Sequence, residues 1–243
     1  MPFPPLKTRL HVEHPLGSGV ELEAGDRNSH YLYRVLRLRD GDHVGLFNGR
    51  DGEWSAVMAC ASPGVVLLRC LDQRRSQSGP PDLWLLFAPL KKSRTDFVVE
   101  KATEIGVSEI FPVRTELTNS RRVQASRLRA VAREAAEQCG GLSIPAIHEF
   151  APLKTALAGW PEGRGLIFCD ETRLGCSDFP LPSSLPDRLA VLIGPEGGFT
   201  AAERSILGRL PGAVPVGLGN RLLRADTAAA VALGLVNIAG RSG

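Results

Sequence analysis

Two glycine-bearing turns in the last quarter of the chain have the residue types and spacing to hold a small ligand. The first lies in LAVLIGPEGGFTAAE, residues 189–203. An apolar run reads as a buried strand, breaks at Gly194-Pro195, passes through Glu196-Gly197-Gly198 and restarts as a helix. Thr200 and Glu203 have the Thr-x-x-Glu spacing of a capping box, which places the helix start. A glycine-rich turn between a strand and a helix N-terminus lets the main chain approach a ligand and offers it unpaired N–H groups. The second stretch, VPVGLGNRLLRADTAAA at 214–230, repeats the order strand, glycine turn, helix. Either turn alone also serves as an ordinary connection of an α/β domain. Two so close together point to one pocket.

Missing motifs narrow the chemistry. A dinucleotide site wants G-x-G-x-x-G after the first strand of its domain, with an acid about 20 residues on. The first α/β strand here runs into APLKKSRTD, without glycine. The sequence has no Walker A motif, no G-x-S-x-G elbow and no metal-ligand spacing, so no metal is expected; His11, His14, His30, His43 and His148 fall mostly in the N-terminal part. Ligands of open α/β sheets sit outside the carboxyl ends of the strands. Three such ends compete here: Phe168-Cys169-Asp170-Glu171, Gly194-Pro195-Glu196 and Leu218-Gly219-Asn220. The chemistry that survives is an adenosine-type ligand held by main-chain groups between apolar walls such as Leu218, Leu222 and Leu223.

These turns need a scaffold, and the pattern of the chain supplies one. At 243 residues, 43% hydrophobic and 23% charged, the chain suits one large or two small soluble domains. No apolar run nears the ~20 residues of a membrane span, and MPFPPLKTRLHVEH lacks a signal-peptide core; a cytoplasmic protein without membrane association is expected. Five scattered cysteines without C-x-x-C argue against a disulfide framework. Residues 1–75 read as a small β-barrel of short strands (HVGLFNG, EWSAVMACA, GVVLLRCL) between Asp-Gly, Asn-Gly and Pro-Gly turns, with one helix at 28–38 facing inward through Leu32, Val35 and Leu36. QRRSQSGPP, 73–81, has linker composition, and 76–81 is taken as the linker. From 82 to 243 strands alternate with helices, the mark of an α/β domain with a mainly parallel sheet. Its strands are LWLLFAP, EIFPVRT, PAIHEF, GLIFCDE and the two opening runs. Its first helix, 91–106, is expected to bury Phe97, Val98, Ala102 and Ile105 and to end at Gly106.

Net charge is only +3, yet ten basic residues face five acids between Lys91 and Arg133. Arg suits phosphate and base contacts better than Lys, and solvated helix faces explain the same excess.

The pairing of LIGPEGGFTAAE with LGNRLLRADTAA resembles the C-terminal signature of the SPOUT superfamily of S-adenosylmethionine-dependent RNA methyltransferases. Within it the similarity is to the RsmE-type enzymes, which methylate N3 of a uridine in small-subunit ribosomal RNA. The similarity spans nearly the whole chain. HYLYRVLRLRDGDHVGLFNG resembles the family's PUA-like barrel, while KATEIGV at 101–107 and EAAEQCG at 134–140 match its first transferase helices. LGNRLLRADT departs from the usual LGPRILRTET at Asn220, Ala225 and Asp226.

This resemblance implies a deep C-terminal trefoil knot, a homodimer, and S-adenosylmethionine bound by Gly194, Pro195, Glu196, Gly197, Leu218, Gly219, Asn220, Leu222 and Leu223, with Phe168 and Cys169 as a third wall. It implies 16S ribosomal RNA or the assembled 30S subunit as partner. Arg224 and Arg221 are the candidate catalytic residues, stabilising charge that develops on the uracil carbonyls. Phosphate or intersubunit pairing is the alternative for Arg221, and Asp226 reads as an N-cap more readily than as a base. Arg9, Arg34, Arg37, Lys91, Lys92, Arg94, Arg121 and Arg122 are the candidate RNA contacts. Glu137 and Gln138 fall near the end of a helix that the family places toward the cofactor, with packing or capping as the other reading. Methylation of another base or of transfer RNA, and a non-catalytic RNA-binding protein with a vestigial cofactor site, are the rival readings.

Overall fold

The computed structural model describes residues 4–62, 65–120, 122–175 and 186–239. Arg121, Cys176 and the Pro63-Gly64 turn lie outside the described residues. Two units divide the chain: Met1–Gly79 with Ala136–Ile144, and Pro80–Ala135 with Pro145–Gly243.

In the first unit, period-two burial builds a five-stranded sheet from β1 (Arg9–His11), β2 (Glu21–Glu23), β3 (His43–Phe47), β4 (Glu53–Ser62) and β5 (Val65–Arg75), in the order β1-β3-β4-β5-β2. β1 joins β3 in parallel and the other ladders are antiparallel. Leu10, Val44, Leu46, Met58 and Leu68 point into one core. β5 extends to Arg75, so Gln73–Arg75, read as linker by composition, pair with β4 instead. The expected helix at 28–38 is α1 (Gly25–His30) running into a wider π turn, Tyr31–Val35. Leu32 is buried as expected. Val35 is 57% exposed, because the wider turn moves the apolar phase off a 3.6-residue period.

In the second unit a seven-stranded sheet has the order β12-β10-β11-β6-β7-β8, with β9 paired to β7. Its members are β6 (Leu83–Phe87), β7 (Glu109–Arg114), β8 (Ala146–Ile147), β9 (Ala151–Pro152), β10 (Gly165–Cys169), β11 (Leu189–Ile193) and β12 (Ala213–Val216). Every ladder is parallel. The helices are α2 (Lys92–Ile105), α3 (Ala125–Cys139), α4 (Leu153–Leu157), α5 (Ala201–Leu207) and α6 (Ala225–Ala239). All five residues of β11 are buried, as a central parallel strand requires.

The expected strand at 145–150 is only the two-residue β8, and His148 beyond it stacks on Phe111 and pairs with Glu109 at 2.6 Å. α2 stops at Gly106, φ +94°, as its sequence indicates. Its inward face is turned, however. Thr95, Val98, Val99, Ala102 and Thr103 are buried while Phe97 is 40% exposed. Thr95 and Thr103 can face inward because their hydroxyls donate to the carbonyls of Leu90 (3.0 Å) and Val99 (2.8 Å).

Candidate cofactor cavity and the groove beside it

β12, β10 and β11 are neighbours in register: Cys169 pairs with Ile193 on one side and Val216 on the other. Their carboxyl ends are therefore level. The three loops that leave them, at Asp170, Gly194 and Gly217, meet at one edge of the sheet. Together they enclose a cavity of about 260 Å³, a little below the usual ~300–1,000 Å³ of small-molecule sites.

Of the residues expected to hold a ligand, Cys169, Gly194, Pro195, Glu196, Gly197, Leu218, Gly219, Leu222 and Leu223 line the cavity, and so do Arg221 and Arg224. Phe168 does not. Side chains alternate across a strand, so with Cys169 at the cavity Phe168 turns into the core, edge-on to Phe199. Asn220 is exposed and outside the lining. Asp170, Glu171, Leu174, Ile193, Gly198, Val216, Gly217, Ala225 and Ala228 complete the wall. Asp170 and Glu171 were within reach of sequence reasoning, since both follow the competing strand end at Phe168-Cys169. At the mouth, Leu222 and Leu174 are 69% and 52% exposed.

The first turn is closed by Gly198 N–H donating to the Pro195 carbonyl at 2.9 Å. Gly198 has φ +71°, and a Cβ there would meet the Glu171 carboxylate at 1.9 Å. A Cβ on Gly217 would reach the Arg173 carbonyl at 2.4 Å. Neither position accepts a side chain without moving the wall. Beyond the turn, the capping box is present in full: Thr200 Oγ1 accepts from Glu203 N–H at 3.3 Å, and Glu203 Oε2 accepts from Thr200 N–H at 2.9 Å.

The acids of the wall are held. Asp170 accepts from the Thr172 amide (3.0 Å) and hydroxyl (2.8 Å) and from Arg204 Nε (3.0 Å), while Glu171 accepts from Arg204 Nη2. Burial alone would push the Asp170 carboxyl up; the Thr172 and Arg204 bonds outweigh it and leave it below the usual carboxylate range. Burial pushes the Cys169 thiol up to about 12, so it stays protonated at neutral pH. Asp226 is not an N-cap: α6 begins at Ala225, Arg224 C=O accepts from Ala228 N–H at 2.8 Å, and Asp226 sits in the first turn, 3.7 Å from Arg94 Nε. A carboxylate there suits the helix dipole.

The next strand of the sheet, β6, leads to a second hollow of about 560 Å³. Lys91, Lys92, Arg122 and Arg127 give it a basic lining, with Asn119, Ser120 and Gln124. Arg94 lies beside it, between Glu196 (3.5 Å) and Asp226 (3.7 Å), so two carboxylates already engage this expected RNA contact.

The first unit separates its expected contacts. Arg34 and Arg37 are exposed, and the guanidinium groups of Arg34 and Arg39 lie 5.7 and 5.1 Å from the Tyr33 ring. Arg9 is different. It pairs with Glu53, stacks on Phe47 at 4.7 Å, and donates to the carbonyls of Ala136 (2.8 Å), Glu137 (3.2 Å) and Gly141 (2.7 Å). Four of its five N–H donors hold Glu53 and the end of α3, which gives this expected RNA contact a structural role. Glu137 accepts from His11 N–H at 3.0 Å and is not part of the cavity wall. Among the described residues Cys70, Cys139 and Cys169 are free thiols, the first buried, the second exposed and the third at the cavity.

Residues 77–237 match an RNA methyltransferase domain family, and residues 25–64 match an RNA methyltransferase PUA domain. The ribosomal RNA small subunit methyltransferase E of Synechocystis is 34% identical over 217 residues, covering 86% of this chain and 70% of that protein. The chain belongs to the ribosomal RNA small subunit methyltransferase E family. The Rickettsia conorii member is 29% identical and matches over 96% of both chains. A crystal structure of the Neisseria gonorrhoeae member bound to S-adenosyl methionine superposes with a TM-score of 0.84 at 25% identity, covering 95% of this chain and 97% of that one. A Legionella pneumophila putative methyltransferase with bound cofactor SAM gives 0.82 at 27% identity, covering 96% and 97%. The PUA-like first unit and the α/β second unit are therefore those of this family. No described helix is long and apolar enough to cross a membrane, and no group of three or more His, Cys, Asp or Glu among the described residues could hold a metal ion.

Proposed function

We propose that this family member methylates N3 of a uridine in small-subunit ribosomal RNA, with S-adenosylmethionine as methyl donor, in the cytoplasm. The supporting observation is the cavity itself. Three level strand ends place glycine main chain, apolar side chains and two arginines around one space, and side chains are sterically barred at Gly198 and Gly217. That fits an adenosine-bearing ligand. Gly194, Gly197 and Gly219 would offer main-chain groups to it, and Leu218, Leu222 and Leu223 would cover its apolar faces. When bound, the sulfonium supplies an electrophilic methyl group.

The chain's own residues then do the rest. Holding the base in line with the methyl removes on the order of 7–11 kcal/mol from the barrier. Arg221 and Arg224, on the turn at the cavity rim, are placed to stabilise charge on the uracil carbonyls. Lys91, Lys92 and Arg122 are placed to contact phosphates and set the register of the RNA, with the 30S subunit or its 16S RNA as substrate. Our reading keeps the family's trefoil knot in the C-terminal part, the PUA-like domain within 1–75, the 76–81 linker and the transferase domain within 82–243. It also keeps a homodimer, in keeping with Val231 and Leu235, which stand exposed one turn apart on α6.

Calorimetry with S-adenosylmethionine should show one site per chain, abolished in Gly197→Arg. Incubation with small subunits lacking the modification, followed by mapping, should then place the methyl on uridine N3. Absent cofactor binding would leave a non-catalytic RNA-binding protein; a methyl on any other atom would overturn the assignment of the base.

A further inference from the structure

Among the described residues, Glu196 alone lines both the 260 Å³ cavity and the 560 Å³ basic groove. The order of the sheet produces this. The cavity lies over the ends of β12, β10 and β11, the groove lies past the end of β6, and Glu196 stands on the turn leaving β11, the strand between β10 and β6. A base that reaches the cavity from the groove passes its carboxylate. We propose that Glu196 is the catalytic residue that accepts the N3 proton of the target uracil, a role that rests on the uridine-N3 reading above.

The neighbouring groups are unsuited. Asp170 and Glu171 are engaged by Arg204. Asp226 lines neither space, and no histidine does. Cys169 is held as a thiol. Glu196 has its side chain 43% exposed and meets Arg94 at 3.5 Å, the outer limit of a hydrogen bond, which leaves lone pairs for a substrate.

A carboxylate is too weak a base to ionise an imide beforehand. It becomes an adequate acceptor as N3 takes on the methyl and its proton turns acidic. The nitrogen's electron pair forms the N3–C bond, the S–C pair stays on sulfur, the N–H pair returns to nitrogen, and the proton passes to Glu196. The sulfonium's positive charge and the carboxylate's negative charge disappear together, and the resulting carboxylic acid gives its proton to water.

The test is single-turnover methylation by wild type, Glu196→Gln and Glu196→Asp, on RNA carrying uridine or the more acidic 5-fluorouridine at the target, across pH 6–9. S-adenosylhomocysteine and RNA affinities are measured alongside. Because Glu196 also lines the cofactor cavity, the affinities serve as a correction. We expect Glu196→Gln to lose about 10²-fold or more in single-turnover rate on uridine at saturating cofactor and RNA, well beyond any change in either affinity. Its rate should climb tenfold per pH unit as ionised uracil takes over. 5-Fluorouridine should recover most of the loss, and Glu196→Asp should retain part of the rate. A Gln variant within threefold of wild type, or one equally slow on both bases with no change of pH profile, would overturn the proposal. The wild-type arm reports separately on uridine methylation, so failure of that reading is distinct.

Discussion

Arg204 never touches the cavity space, yet it holds two of its walls. It projects from α5, the helix that follows the Gly194–Gly198 turn, and binds Asp170 and Glu171 beyond the end of β10. The Glu171 carboxylate in turn occupies the space a Cβ on Gly198 would need. Arg204→Ala is expected to lower S-adenosylmethionine affinity at least tenfold by calorimetry and to cost about 1–3 kcal/mol of stability. Asp170 binds its proton less readily folded than unfolded. Its contribution is therefore fully present above the unfolded value of about 3.9 and is lost as pH falls through the lower folded value. The gap in thermal midpoint between wild type and Arg204→Ala should narrow as pH drops from 7 toward 3. A constant gap would mean that Arg204 acts through packing alone.

At the scale of elements, the informative case is the end of α3. Arg9 on β1 gathers three carbonyls from Ala136 to Gly141, where a helix C-terminus has acceptors to spare and favours a cation. Arg9→Ala removes one of two cationic partners of the buried Glu53, which keeps Arg75 at 2.9 Å, and frees the α3 carbonyls, a loss of about 1–3 kcal/mol. Urea unfolding should show that loss, while RNA affinity per folded molecule stays within twofold; the reverse pattern would mark Arg9 as an RNA contact. This fate was illegible in the sequence because its partners lie 127 to 132 residues away. What was legible is local. Thr200 with Glu203 and Gly106 after α2 announce helix ends through contacts three or four residues long, and β11 announces itself as an unbroken apolar run. Where a face depends on neighbours, the pattern misleads. Phe97 looks like core and is exposed, because two threonines that satisfy their own hydroxyls take the inward positions.

For the whole molecule, the order β12-β10-β11-β6 puts a ligand-sized cavity and a basic groove on adjacent strand ends. Each phosphate neutralised on single-stranded RNA contributes about 0.7 to the slope of log K against log salt. Replacing Lys91, Lys92 and Arg122 together by Ala should reduce that slope by about 2 in filter-binding or anisotropy titrations and leave cofactor affinity unchanged. An unchanged slope would move the RNA path elsewhere. The cavity was readable in the sequence as two glycine turns, and its third side less so, because only the pleat decides that Cys169 and not Phe168 faces it. Five of the lining residues are glycines, which can meet a ligand only through amide and carbonyl groups that every residue carries. Substitution elsewhere does not delete such contacts. Overall identity is then a poor gauge of how alike two of these cavities are, and any drift in ligand preference has to be sought at the few positions, among them Glu171, Arg221 and Leu222, where the wall is made of side chain.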